Sequence, residues 1–227
     1  GLGLTGVITQ AQIQLKPVAG PWLETDTIAF TGLDAFFQLA DSSEAQWEHT
    51  VAWVDCIARG PVRGLFMRAN PAVDCSGKLP GRKQLSMPVT PPLSLVNRLT
   101  LKPFNAAYYQ LKKWRAGKAI MHYEPFLYPL DNLAHWNRMY GPRGFYQYQS
   151  VIPREQGQAG VQAMLECIAR SGQGSFLAVL KTFGNRQSVG MLSFPQPGVT
   201  LALDFPDHGE RTRQLFVTID AAIARGE

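Results

Sequence analysis

Trp136-Asn137-Arg138-Met139-Tyr140-Gly141-Pro142-Arg143-Gly144-Phe145-Tyr146-Gln147-Tyr148-Gln149 reads as a helical segment, a Gly-Pro-x-Gly turn and then a strand. Side chains alternate along a strand, so Phe145, Gln147, Gln149 and Val151 share one face while Tyr146, Tyr148 and Ser150 share the other. Two amides in register beside apolar neighbours admit two readings. Either they hydrogen-bond a polar ligand, since a buried unpaired amide costs a few kcal/mol, about 1 to 3, or they meet water on a half-exposed strand.

Working outward from that strand gives the fold. Downstream, residues 154–171 carry a helical pattern, residues 175–183 and 199–205 alternate as strands, and residues 210–224 close with a helix. That order, β-α-β-β-α, is the ferredoxin-like arrangement. Upstream the same grammar recurs: residues 22–30 as a strand, Thr31 as N-cap of a helix bearing Leu33, Phe36, Phe37 and Ala40, then strands over 47–56 and 62–68. Between the units, residues 70–103 are too rich in Pro, Gly and Ser for a long helix or a central strand and read as an excursion. A helix over 104–114, a strand over 119–126 and a helix over 129–140 follow. The alternation at residues 7–15 predicts one more strand, ended by Lys16-Pro17. The expected class is α+β: two β-α-β-β units joined edge to edge in an antiparallel sheet, with helices on one face and the other face left to cover a ligand.

The composition is that of an ordinary packed protein, with 45% hydrophobic residues in 227 and a formal charge of +5. The basic residues read as scattered, so nucleic acid is not implied. Cys56, Cys75 and Cys167 are odd in number and far apart, which suggests neither a disulfide framework nor a metal site. A reducing compartment suits them, so a cytoplasmic protein is expected, with a membrane-peripheral one as the secondary expectation. No apolar run reaches the roughly 20 residues that span a bilayer. Gly1 is not an initiator Met, and a fragment of a longer protein is expected.

Few motifs carry chemistry. Gly1-Leu2-Gly3-Leu4-Thr5-Gly6 matches G-x-G-x-x-G, but a strand follows it where a dinucleotide fingerprint needs a helix, so a tight turn or an approach to a cofactor by another geometry remains. Lys181 shares a strand face with Leu177, Val179 and Phe183, and either snorkels outward or meets an anion or hydroxyl. Asp131 and Asp204 read as helix caps rather than general bases. His49, His122, His135 and His208 show no metal-ligand spacing. Hydrolase elbows and phosphate loops are missing from the sequence.

Several co-linear segments, among them Val51-Ala52-Trp53-Val54-Asp55, Tyr128-Pro129-Leu130-Asp131, the Trp136 to Gln149 stretch and Leu192-Ser193-Phe194-Pro195-Gln196-Pro197-Gly198, resemble FAD-dependent oxidoreductases of the vanillyl-alcohol-oxidase superfamily. The resemblance implies a substrate-binding cap domain over residues 18–227, with residues 1–17 as the last strand of an FAD-binding domain lying outside this chain. It implies that Gly3, Leu4, Thr5, Gly6 and Val7 pass near the flavin or its phosphates. It places Gln147, Gln149 and Lys181 in a pocket walled or supported by Trp53, Phe126, Leu130, Arg138, Leu177, Val179, Phe183, Thr200 and Ala202. Thr200 and Ala202 depart from a mycobacterial member, which has Asn and Cys there, and Ala202 removes the thiol that covalent nitroaromatic inhibitors need. A lysine and a tyrosine that reach the flavin in the family belong to a C-terminal return not present in this chain, so no catalytic residue is assigned. The implied partners are a small sugar-type substrate and the FAD-domain segments of the same protein. Two readings compete with an enzyme: a ferredoxin-like module binding a small polar ligand without chemistry, and a scaffold piece that self-associates through its uncovered sheet face.

Overall fold

The computed structural model describes residues 3–58, 60–73, 85–187, 190 and 192–224. The first unit is β1 (Trp22–Thr31), α1 (Leu33–Glu44), β2 (His49–Val54) and β3 (Arg63–Pro71). The excursion holds the two-residue β4 (Leu85–Ser86) and leads into α2 (Arg98–Trp114), β5 (Gly117–His122), α3 (Tyr123–Leu127) and the two-residue β6 (Leu133–Ala134). The second unit is β7 (Phe145–Pro153), α4 (Gly157–Ser171), β8 (Ala178–Phe183), β9 (Gly198–Pro206) and α5 (Glu210–Ala224).

Seven strands form one antiparallel sheet in the order β5-β1-β3-β2-β8-β9-β7, so the two units meet edge to edge where β2 pairs with β8. The seam is short: Ala52 faces Leu180 and Trp53 faces Val179. One sheet face buries the main core. α1 presents Leu33, Phe36, Phe37 and Ala40, and α4 presents Val161, Met164, Leu165 and Ile168, both at i, i+3, i+4, i+7 spacing, against Ala52, Val54, Phe66, Leu180, Val199, Leu201 and Leu203. Each of the larger of these side chains, Val, Leu, Ile, Phe or Met, contributes about 1.5 to 3 kcal/mol by leaving water. Close packing of α4 needs small residues, since a Cβ on Gly160 would stand 2.7 Å from Ile152 Cδ1. α5 completes this layer through Leu215 and Ile219.

α2 lies on the opposite face, where Tyr108 and Tyr109 pack with Trp53, Leu65, Met67 and Leu177. It begins six residues earlier than its sequence pattern suggests. Asn97 accepts from the backbone N–H of Leu99 and Thr100, Thr100 Oγ1 returns to the Asn97 N–H, and this capping box starts the helix ahead of Pro103. Pro103 is the sixth residue of the helix, past the first turn, so it leaves the Leu99 carbonyl without its usual helical donor.

Other boundaries move for physical reasons. The helix expected over 129–140 is instead two 3-10 turns, Pro129–Asn132 and Trp136–Tyr140, separated by β6 and by His135 in the left-handed region at φ 58°. β6 pairs in parallel with β4, and Arg138 donates to the Met87 and Pro88 carbonyls, so the excursion is tied to this segment. The strand expected over 119–126 stops at His122, whose Nδ1 caps α3. Residues 6–18 form no strand and are exposed throughout. Their alternation has no neighbour to pair with among the described residues, and an unpaired strand is not stable in water.

Candidate functional site

Strand register gathers most of the expected residues on the face opposite the main core. Gln149 faces Ala202, Ala202 faces Val179, Val179 faces Trp53 and Trp53 faces Leu65, one row crossing five strands. The adjacent rows add Thr200 opposite Lys181 and Gln147 opposite Asp204. From Gln149 to Trp53 the row spans three strand spacings, roughly 14 Å, enough for a ligand of sugar size.

Polar groups stand at the β7 end of this row and aromatic ones at the β2 end. Gln149 Nε2 donates to Thr200 Oγ1 at 3.2 Å, which fixes the amide and leaves its carbonyl oxygen for another donor. Thr200 is buried beneath it, whereas Gln147, Gln149 and Lys181 are exposed. The Lys181 ammonium has no hydrogen bond or ion pair among the described residues and carries three unused donors. Val179 and Ala202, half-buried, form an apolar floor between the amides and the indole. The far wall is Trp53, 3% exposed, whose indole N–H donates to the Phe176 carbonyl at 3.0 Å and whose ring meets Tyr108 of α2 at 4.9 Å. Phe104 meets Phe176 edge-on at 4.5 Å and extends the wall. Leu177 packs into it just before β8 begins.

Asp204 is the residue that reading the sequence missed. It is no helix cap: it lies inside β9, 3% exposed, with Oδ1 buried and without a hydrogen-bond partner among the described residues. Burial pushes its carboxyl above the ordinary carboxylate value, and the Gln147 amide beside it works in the opposite direction. Tyr140, buried in the 3-10 turn and stacked on Phe145 at 4.4 Å, has its phenol held up by burial first and by Asp204 next, so its hydroxyl stays a donor. The signal was present in the alternation, because Thr200, Ala202 and Asp204 follow at i, i+2, i+4.

The remaining expected residues divide. Phe183 closes β8 on the same face and meets Phe194 edge-on. Arg138 does not face the amides; through the Met87 and Pro88 carbonyls it holds the excursion in place. Phe126, in α3, and Leu130, in the following turn, come where the chain leaves β5, at the opposite sheet edge from β7. Support for the wall comes from below: Asp55 accepts from Arg63 Nη2 at 2.7 Å and from Asn105 Nδ2 of α2 at 3.0 Å. Cys56 is no nucleophile, its thiol being pushed up to about 12 by burial. No group of three metal-ligating side chains occurs among the described residues.

Gly3, Leu4, Thr5, Gly6 and Val7 are exposed, and nothing stands within 4 Å of a Cβ built on Gly3 or Gly6. A dinucleotide-sized cofactor needs a cradle of backbone amides or cations around its phosphates, and these residues supply no second wall. The described residues therefore fit one side of a ligand site and do not by themselves fit FAD.

No family model matches the chain. It is 33% identical over 218 residues to decaprenylphosphoryl-β-D-ribose oxidase of Mycolicibacterium smegmatis, covering 91% of this chain and 47% of that protein. It is 27% identical to an uncharacterised protein in the mprA 5′ region of Streptomyces coelicolor, covering 99% of this chain and 65% of that protein. The chain thus spans about half the length of the mycobacterial relative. Among solved structures, two berberine bridge enzyme variants, one a reticuline dehydrogenase, align over 94% of the chain at TM-scores of 0.44 and 0.45 with 13% and 12% identity, too distant to carry an argument.

Proposed function

We propose that this relative of decaprenylphosphoryl-β-D-ribose oxidase is the substrate-binding portion of an FAD-linked oxidoreductase, one that oxidises a secondary alcohol of a lipid-linked pentose or an aldonolactone. The kinship supports the reaction class. The binding role rests on one observation: Gln149, Thr200, Lys181 and Gln147 stand on a single sheet face beside the Val179 and Ala202 floor.

That face suits a sugar. The amide and hydroxyl pair at Gln149 and Thr200 matches the mixed donors and acceptors of neighbouring hydroxyls, and the floor takes the apolar face of the ring. Lys181 donates to a hydroxyl or phosphate oxygen and favours loss of the hydroxyl proton by its charge. Trp53 and Tyr108 exclude water from one side. The flavin's share, when bound, is to accept a hydride from the carbinol carbon. Since Gly3 to Val7 do not cradle it, this chain alone neither retains FAD nor turns over. Ala202 offers no thiol, so nitroaromatic compounds do not attach covalently here. Free Cys56 and Cys167 suit a reducing, cytoplasmic setting. With the floor uncovered the chain self-associates, which sedimentation measures.

The test is a longer protein carrying this chain together with its flanking segments. It should be yellow and should bleach under argon with a lipid-linked pentose or an aldonolactone. Lys181→Met and Gln149→Leu should each slow bleaching at least tenfold. A colourless protein that binds the sugar makes the chain a binding module; a yellow one indifferent to both substitutions removes this face from the site.

A further inference from the structure

We propose that α2 and the loop before it form a docking surface for an anionic lipid membrane. No Asp or Glu stands between Asp74 and Glu124 in the sequence. Within that span α2 and its C-cap carry Arg98, Lys102, Lys112, Lys113 and Arg115, all exposed. None of the five forms an ion pair among the described residues, whereas Lys16, Arg63, Arg68 and Arg154 elsewhere each find a carboxylate. A cluster of cations left without internal counter-charges is complementary to an anionic surface.

Lys112 and Lys113 lie over the Tyr108 and Tyr109 rings, each 5.8 Å from the centroid, and meet no carboxylate there, while several apolar groups near the cations are left to solvent. Leu101, Asn105 and Tyr109 bury one side of α2 against the sheet. On the other side Leu99 is 86%, Leu111 48% and Trp114 81% exposed, and Leu93 in the preceding loop is 79% exposed. Lys and Arg interleaved with Trp and Leu is the composition of a helix that lies in a bilayer interface, the indole at headgroup depth and the cations on lipid phosphates. A nucleic acid fits less well: Trp114 and Phe104 could stack on bases, but the exposed leucines beside them could not, and Tyr108 and Tyr109 are turned onto Trp53 and Leu65.

The inference does not depend on the oxidoreductase reading. It does place the site beside the lipid, because the helix that would dock also packs Tyr108 on Trp53.

The experiment is vesicle co-sedimentation of the full chain, using phosphatidylcholine alone and phosphatidylcholine with phosphatidylglycerol, at low and high salt. The chain should sediment with the anionic vesicles only, and salt should release it. Lys112→Glu with Lys113→Glu should weaken the association by on the order of 30-fold or more, at about a fivefold loss for each cation removed and a further loss for each carboxylate introduced. Trp114→Ala should weaken it while Trp114→Phe retains most of it, and the difference spectrum between wild type and Trp114→Phe should show a blue-shifted indole when vesicles are added. Far-ultraviolet circular dichroism checks that the variants fold, and Arg115→Glu offers an independent variant should the double substitution fail that check. Equal association with both vesicle types, no association with either, or charge-reversal variants binding like wild type would overturn the proposal. Displacement from vesicles by duplex DNA at equal charge would do the same, by showing general polyanion adsorption.

Discussion

Trp53 joins the site to the fold, and its removal makes the sharpest prediction. The side chain is 3% exposed, its N–H reaches the Phe176 carbonyl at 3.0 Å, and its ring meets Tyr108 at 4.9 Å. Trp53→Ala opens a cavity of the kind that costs about 3 to 5 kcal/mol, and the deserted carbonyl adds about 1 kcal/mol. Trp53→Phe keeps most of the ring contact and loses the hydrogen bond, so it should cost about 1 to 2 kcal/mol. Urea unfolding followed by circular dichroism would read both as shifts of midpoint at unchanged slope. In heat the alanine variant should melt roughly 10 °C or more below wild type. A cycle with Tyr108→Leu should return a coupling of about 0.5 to 1.5 kcal/mol, since the two rings touch. If Trp53→Ala costs less than about 1.5 kcal/mol, or if Phe costs as much as Ala, then α2 does not rest on this residue and the wall described here is wrong.

Three further outcomes test other parts of the structure. Asp55→Ala leaves Arg63 and Asn105 without their shared acceptor and should cost about 3 to 5 kcal/mol in the same urea assay. Gly64→Ala should cost about 3 kcal/mol, because a Cβ there would lie 2.4 Å from Phe30 Cζ and 2.5 Å from the Trp53 carbonyl oxygen. Asp204 holds its proton more tightly folded than unfolded, so its contribution to stability is complete below the unfolded value of 3.8 and is lost as pH rises through the higher folded value. Asp204→Asn does not titrate, so its urea midpoint should fall less than that of wild type between about pH 4 and about pH 7; an equal or larger fall would show that the carboxyl is not burdened by burial.

The two repeated units were legible because each strand alternates and each helix repeats at 3.6, and both patterns follow from burying one face. α5 falls on its expected residues because Gly209 and the acidic first turn mark its start. The side on which α2 packs was not legible, since Leu101, Asn105 and Tyr109 would serve equally against either sheet face. Nor was its start, because Pro103 outweighed the Asn97 and Thr100 cap in a reading by propensity. At the site, alternation alone grouped Gln147 with Gln149 and Leu177 with Val179 and Lys181. Bringing those two sets together required β9 between them, a pairing that only tertiary structure fixes. Asp204 was lost by the opposite error: nearness to α5 in sequence suggested a cap, while its own strand periodicity put it on the face that carries Thr200 and Ala202.

Read outward from the seam, the sheet runs β2-β3-β1 on one side and β8-β9-β7 on the other, the same order twice. An antiparallel join of two like units has an approximate dyad normal to the sheet at the seam, relating the neighbourhood of Trp53 to that of Val179. Left intact, such a dyad would offer a ligand two equivalent approaches and no preferred orientation. The helix after the third strand of each unit breaks it, α5 returning to the core face and α2 crossing to the other. One half of the face thereby gains the aromatic rim of Trp53 and Tyr108, the other keeps Lys181 and the Gln149 and Thr200 pair, and the two halves present unlike chemistry.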